Sequence, residues 1–319
     1  MKILILRFSS IGDIVLTTPV IRCLKKQLSG VEIHFLTRRS FQKVLENNPY
    51  IDTLHVFYEN VSEVIPALKK ENFDLIIDLH HNARTLKVKT ALGKKSFSFD
   101  KLNLEKWMLV NLKINRLPNV HIVDRYMKTV ESLGIKNDLA GLDYFVTEKD
   151  ESVLQSIPSS HKPYIAWVIG AKHFTKQLPL DKMISIGKNI SEPIVLLGGK
   201  EDVLKSVELK NALGEKAIDL CGKISLNESA AILKYAKKVI THDTGLMHIA
   251  AAFQKEITSV WGNTVPAFGM YPYMPGFESR NTMIEVSGLS CRPCSKIGFS
   301  KCPRGHFKCM MLIPDQLPL

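Results

Sequence analysis

The chain has 319 residues, enough for two domains of ordinary size, and its 45% hydrophobic and 23% charged content excludes a largely disordered polymer. Lys and Arg number 43 against 31 Asp and Glu, a net charge of +12 that favours anionic partners such as nucleic acid, anionic lipid or phosphorylated substrates. No run of five basic residues and no basic–aromatic repeat concentrates that charge, so nucleic acid is not expected, and the apolar runs fall far short of the ~20 residues of a membrane span.

Short apolar runs alternate with longer amphipathic ones, the pattern of strands and crossover helices. In the first half the strands are Ile3–Leu6, Glu32–Leu36, Leu54–Phe57 and Leu75–Asp78. The apolar-periodic segment Ile14–Leu28 contains Pro19, so its helix either kinks there or restarts with Thr18 as cap and Pro19 as first residue. Lys94–Lys113 is the least regular part, and its amphipathic stretch Leu102–Leu109 reads either as a helix packed on the core or as a lipid contact. The polar, Ser-rich stretch Thr147–Pro163 marks a domain boundary, giving expected domains 1–158 and 159–319. The rhythm then restarts with strands Tyr164–Val168, Ile194–Leu197, Ala217–Leu220, Lys238–Thr241 and Ile257–Trp261. Between them lie helices after Pro179, near Glu201–Leu213, at Leu226–Tyr235 and at Leu246–Phe253. This is an α/β chain of two doubly wound, Rossmann-like domains, expected to face a central cleft. Met1–Phe8 is interrupted by Arg7 and reads as no signal peptide, so a cytoplasmic location is expected.

Three strand-to-helix turns carry chemistry. Arg7-Phe8-Ser9-Ser10-Ile11-Gly12-Asp13 has one glycine and is neither a dinucleotide fingerprint nor a P-loop. Asp13 is either a first-turn helix acid or a carboxylate able to take a proton from a hydroxyl. In Val239–His248, Thr244 and Gly245 open a helix whose free N–H groups and positive end favour phosphate. Asp243 can accept hydrogen bonds from sugar hydroxyls, and His248 lies one turn further on. Lys172 and Lys176 bracket the third turn, either as solvated charges or as neutralisers of a diphosphate. There is no Asp-x-Asp pair to bridge a metal to that diphosphate, which points to metal-independent chemistry with no catalytic cofactor.

Together these motifs resemble glycosyltransferase family 9, the heptosyltransferases of lipopolysaccharide core assembly. The resemblance rests on Leu6–Pro19 and on Asp243-Thr244-Gly245-Leu246-Met247-His248-Ile249-Ala250-Ala251-Ala252, in order along the chain. It implies a GT-B fold with an N-terminal acceptor domain and a C-terminal nucleotide-sugar domain. It also implies an inverting transfer of heptose from ADP-heptose to a lipid A or core acceptor. On matching positions, Asp13 is the general base, and Lys176, Thr244, Gly245 and His248 serve the diphosphate. Asp243 holds the sugar, and Glu201 and Ile224 meet the nucleoside. Ser10, Gly12, His80, His81 and Arg84 are candidates for the acceptor. The expected partners are a nucleotide-diphosphate sugar, a phosphorylated glycolipid and, peripherally, the anionic inner membrane.

Cys291, Cys294, Cys302 and Cys309 cluster near the end of the chain, with His306 among them. Their spacing fits a structural zinc site, reduced packing thiols or a disulfide, the last disfavoured by the expected compartment. Only Phe307–Leu319 follows His306, which leaves room for no more than a short final helix. Two other readings stay open: a same-fold transferase for another nucleotide-sugar, and a basic nucleic-acid-binding protein with a zinc-ribbon tail.

Overall fold

The computed structural model describes all residues, Met1–Leu319. The chain folds as two compact units: residues 1–101 with 120–145, and residues 102–119 with 146–319. The turns between residues 146 and 158, on the amino side of the boundary expected at 158/159, thus pack with the second unit. The physical reason is packing: the helical turns Glu148–Glu151 and Ser152–Ser156 lie against the helix Leu226–Tyr235, where Lys234 pairs with Glu151 at 2.7 Å. Residues 102–119 join the second unit because Lys113 Nζ donates to the carbonyls of Cys291 and Pro293.

The first unit is a five-stranded parallel sheet of β1 (Lys2–Leu6), β2 (Glu32–Arg38), β3 (Thr53–Phe57), β4 (Leu75–Asp78) and β5 (Ser96–Ser98), in the order β3-β2-β1-β4-β5. β1 and β4 are continuous apolar runs because helices cover both faces of a parallel sheet. Leu4, Leu6, Phe8, Leu36, Phe73 and Ile76 form a core cluster on one of those faces. After β1 the chain forms a short helix, Ile11–Val15, and restarts as Thr18–Gln27 with Thr17 at the cap and Pro19 in the first turn. Arg22 of that second helix is buried and anchors the end of the unit, binding the carboxylates of Asp138 and Asp143 and the Gly141 carbonyl.

The second unit is a six-stranded parallel sheet. Its strands are β6 (Ile165–Val168), β7 (Ile194–Leu197), β8 (Ala217–Asp219), β9 (Lys238–His242), β10 (Glu256–Trp261) and β11 (Asn281–Glu285), in the order β11-β10-β9-β6-β7-β8. Phe307, Cys309, Met310 and Ile313 from the tail are buried in its core beside Ile165 and Trp167. The final helix is a single turn, Lys308–Met311. No helix is long and apolar enough to cross a membrane.

β5 and β11 had no counterpart in the sequence reading. Both are edge strands with mostly half-exposed, polar residues, so neither carries the apolar run that marks a central strand.

Candidate active site

In a parallel sheet every loop that follows a strand emerges on the same edge, and loops on either side of a reversal in strand order splay apart to leave a crevice. In the first unit the reversal lies between β1 and β4; in the second it lies between β6 and β9. The loops at these two places carry Asp13, His80 and His81 in the first unit, and Lys176 and Asp243 in the second.

In the first unit Ser10 caps the helix Ile11–Val15, and Asp13 completes a capping box. Asp13 Oδ2 accepts from the Ser10 hydroxyl at 2.7 Å and from its backbone N–H at 3.2 Å. The other oxygen is paired with Arg7 Nη2 at 2.7 Å. Arg7 is itself fixed, donating to the Ser9 carbonyl, the Leu79 carbonyl and the Tyr126 hydroxyl. Burial opposes the Arg7 charge, but the neighbouring carboxylate of Asp13 outweighs it and raises the guanidinium's pKa. Asp13 nevertheless keeps 22% of its side chain exposed, so it stays within reach of a ligand. Gly12 is buried in the same turn.

His80 stacks on Phe8 with ring centroids 5.2 Å apart, and Arg84 lies over the same Phe8 ring. Burial, helped by the charges of Arg7 and Arg84, pushes the His80 pKa down to about 3, so this ring is neutral at physiological pH. His81 turns to the Phe99 carbonyl, 2.9 Å from its Nδ1, and its backbone N–H donates to Asp78. Ser10, Asp13, His80 and Arg84 therefore converge, whereas the His81 ring is bonded to backbone.

In the second unit Thr244 caps the helix Gly245–Ala252, its hydroxyl accepting from Met247 N–H. The N–H groups of the first turn point out of the helix end, where a phosphate gains from them and from the helix dipole. Lys176 Nζ sits beside this end and donates to Asp243 Oδ2 at 2.6 Å, and Thr264 Oγ1 donates to the same oxygen at 2.9 Å. His248, in the first turn of that helix, is buried, 2% exposed. Glu201 is exposed in the turn after β7, and Ile224 is half-buried just before the helix Leu226–Tyr235. Both lie on the same sheet edge as Asp243.

Several supporting residues escaped the sequence reading. His242 Nε2 accepts from Leu178 N–H at 3.0 Å, which fixes the start of the helix after Lys176. Burial pushes the His242 pKa down to about 3, with the Lys205 charge contributing, so that nitrogen remains an acceptor. Lys205 donates to the Gln177 side chain, and Gln177 in turn donates to the Ala171 carbonyl. A side chain at Gly170 would strike Asp202, which explains that glycine. Arg292, inside the Cys-Arg-Pro-Cys knuckle, donates to the carbonyls of Gly262, Thr264 and Val286 and pairs with Glu285. Phe299 N–H donates to Thr175 Oγ1, and Cys294 N–H to the Asn263 carbonyl. The tail therefore forms the back wall of the Lys176–Asp243 loops. No local pattern around Arg292 announces these long-range contacts, so the sequence reading passed over it.

The four tail thiols are unpaired. Cys309 has its pKa pushed up to about 11 by burial and then by neighbouring thiols, Cys294 first. Cys291 Sγ lies 3.9 Å from His306 Nε2. Beside them is a cavity of about 810 Å³ whose lining includes Lys113, Arg304, His306 and Lys308, but not Lys176 or Asp243.

Comparison with solved structures fits this architecture. Glycosyl transferase family 9 from Veillonella parvula superposes with a TM-score of 0.72 at 22% identity, over 88% of this chain and 85% of that one. Escherichia coli ADP-heptose lps heptosyltransferase II superposes with a TM-score of 0.71 at 19% identity, over 92% and 95%. The fold is GT-B, and the protein is a glycosyltransferase. Lipopolysaccharide heptosyltransferase 1 of Campylobacter coli is 26% identical over 291 residues, 83% of this chain and 84% of that protein. The profile of glycosyltransferase family 9 (heptosyltransferase) matches residues 61–301, and the chain belongs to that family.

Proposed function

We propose that this enzyme transfers heptose from ADP-heptose to a lipopolysaccharide core or lipid A-type acceptor, inverting the anomeric centre without a catalytic metal. The observation that carries the reading is the Lys176–Asp243 pair at the amino end of the helix Gly245–Ala252, in a chain of this family. In the free protein Lys176 neutralises Asp243. Sugar hydroxyls binding Asp243 release the ammonium, which turns to the diphosphate beside the N–H groups of Thr244 and Gly245. The accumulating charge on the leaving ADP then meets preplaced donors, the kind of electrostatic stabilisation that needs no metal. His248 holds the loop from below, and Glu201 and Ile224 receive the ribose and base.

Asp13 is the base that takes the acceptor proton. Arg7 and Ser10 hold both its oxygens in place, so its orientation is fixed before the acceptor arrives. Residues 1–158 are assigned to the acceptor, with Ser10, Gly12, His80, His81 and Arg84 nearest to it, and residues 159–319 to the donor. A single displacement from the acceptor side inverts the sugar.

The cations Lys113, Arg304 and Lys308 around one cavity, and the exposed Leu104, Trp107, Leu112 and Ile114 in the segment that carries Lys113, support peripheral contact with an anionic membrane at the cytoplasmic face. Cys291, Cys294, Cys302 and Cys309 are assigned to a structural zinc on their spacing in the sequence, with Cys291 Sγ 3.9 Å from His306 Nε2. Calorimetric titration with ADP, GDP and UDP, with and without EDTA, tests the donor assignment. ADP alone should bind, unaffected by chelator. Preference for another nucleotide would overturn the donor, and EDTA-sensitive binding the metal-free chemistry.

A further inference from the structure

A second polar cluster lies in the first unit near the amino ends of its strands, at the opposite sheet edge from Asp13. His34 is the third residue of β2, His55 the third of β3, and Glu71 follows the helix Ile65–Lys70. One ring nitrogen of each histidine and a Glu71 carboxylate oxygen all lie within 4.8 Å of one another. His34 Nδ1 is 2.8 Å from His55 Nε2, and His34 Nε2 is 2.7 Å from Glu32 Oε1. A carboxylate only accepts, so the neutral His34 ring carries its proton on Nε2 and aims the Nδ1 lone pair at His55.

We propose that His34 Nδ1, His55 Nε2 and Glu71 form a zinc-binding site, with Glu32 as the outer partner that orients His34. Two imidazoles and a carboxylate are a donor set suited to Zn²⁺, with a water in the fourth position. A metal-bound histidine commonly donates its other N–H to a carboxylate, which is what His34 does to Glu32. His34 is 1% exposed, and the buried Phe73 ring stands edge-on to both imidazoles at 5.1 and 6.3 Å, an apolar wall that strengthens coordination.

The rearrangement needed is small. His55 moves its proton from Nε2 to Nδ1, so no net proton is lost. The two nitrogens separate from 2.8 Å to about 3.4 Å, the spacing of two tetrahedral zinc ligands. In the metal-free protein Lys2 supplies the positive charge instead, 2.9 Å from Glu71 and 3.3 Å from Glu32, and zinc displaces it from Glu71. The ion joins the edge strand β3 to β2 and to the segment leading into β4. Its role is structural and independent of sugar transfer.

The test is zinc titration of the full chain by competition with a chromophoric chelator, in the wild type and in a Cys291→Ser/Cys294→Ser variant that weakens the tail thiols. Binding of one zinc should persist in the Cys variant. His55→Gln and Glu71→Gln, made in that background, should weaken it about 10- to 100-fold, Glu32→Gln should weaken it less, and Lys2→Met should tighten it. Cobalt provides a second readout should any variant fold poorly. The wild-type chain should show a visible d–d spectrum component free of thiolate charge transfer, which His55→Gln removes. Zinc binding unchanged by His55→Gln and Glu71→Gln, or a cobalt spectrum of thiolate type alone, overturns the site.

Discussion

In the first unit Asp13 is held by its own neighbourhood: Ser10 three residues away and Arg7 six residues away occupy both carboxylate oxygens. In the second unit Lys176 and Asp243 are held across long stretches of chain, by each other, by Thr264, and through Thr264 by Arg292 from the tail. The first arrangement is a local turn set on a strand end, tied to distant chain only through Arg7, which reaches Leu79 and Tyr126; the second exists only once β6, β9, β10 and the tail are assembled. The two regions should therefore respond differently to perturbation.

The largest effect is expected from separating the two roles. Asp13→Asn should lower turnover about 10²- to 10⁴-fold, the usual loss of a general base, with ADP affinity nearly unchanged. Lys176→Met should do the opposite, weakening ADP about 10- to 100-fold through loss of a charged hydrogen bond. Single-turnover kinetics beside calorimetry distinguishes the two; an Asp13→Asn enzyme with parental turnover would remove the base from the mechanism.

A smaller effect is expected at Arg292, which touches no donor and acts by positioning the loop after β10. Arg292→Met leaves the carbonyls of Gly262 and Thr264 without their donor, at a cost of about 1–3 kcal/mol in stability. The donor KM should rise several-fold while kcat changes little, and Arg292→Lys should recover only part of the loss, because an ammonium cannot reproduce the planar fork. Equal loss of kcat and kcat/KM would instead place Arg292 in the transition state.

The smallest effect concerns pH, and here both regions behave alike. His80 and His242 are each pushed down to about 3 from an ordinary 6.5, chiefly by burial. The unfolded chain therefore takes up protons below pH 6.5 that the folded chain refuses until about pH 3. Stability should fall as pH drops through that window. Melting temperatures from pH 7 to pH 4 should decline less steeply in His242→Gln than in the parent, whatever that substitution costs at pH 7. Parallel slopes would show that His242 is not the group refusing protons.

Much of the architecture was legible because it is written locally. Apolar runs such as Ile194–Leu197 mark strands buried on both faces, and Ser225 with Glu228 announces the start of Leu226–Tyr235. The Asp13 and Thr244 turns were readable as strand-to-helix junctions for the same reason. The Lys176–Asp243 ion pair was not, although both residues were named, since nothing in either segment specifies the other. The polar turns 148–156 look like a linker in the sequence, yet they pack on Leu226–Tyr235 within the second unit, a contact that no local pattern announces.

By itself, then, the sequence determined the alternation of strands and helices and the two parallel sheets, which follow from side-chain periodicity and from caps within a few residues of one another. The family was legible separately, through the resemblance carried by the motifs Leu6–Pro19 and Asp243–Ala252. Tertiary structure alone decided which distant groups meet: Lys176 with Asp243, Arg292 with the loop after β10, His34 with His55 and Glu71, and the edge strands β5 and β11. Each of these depends on the order in which strands lie side by side, and that order is set by the packing of helices on both sheet faces rather than by any single segment.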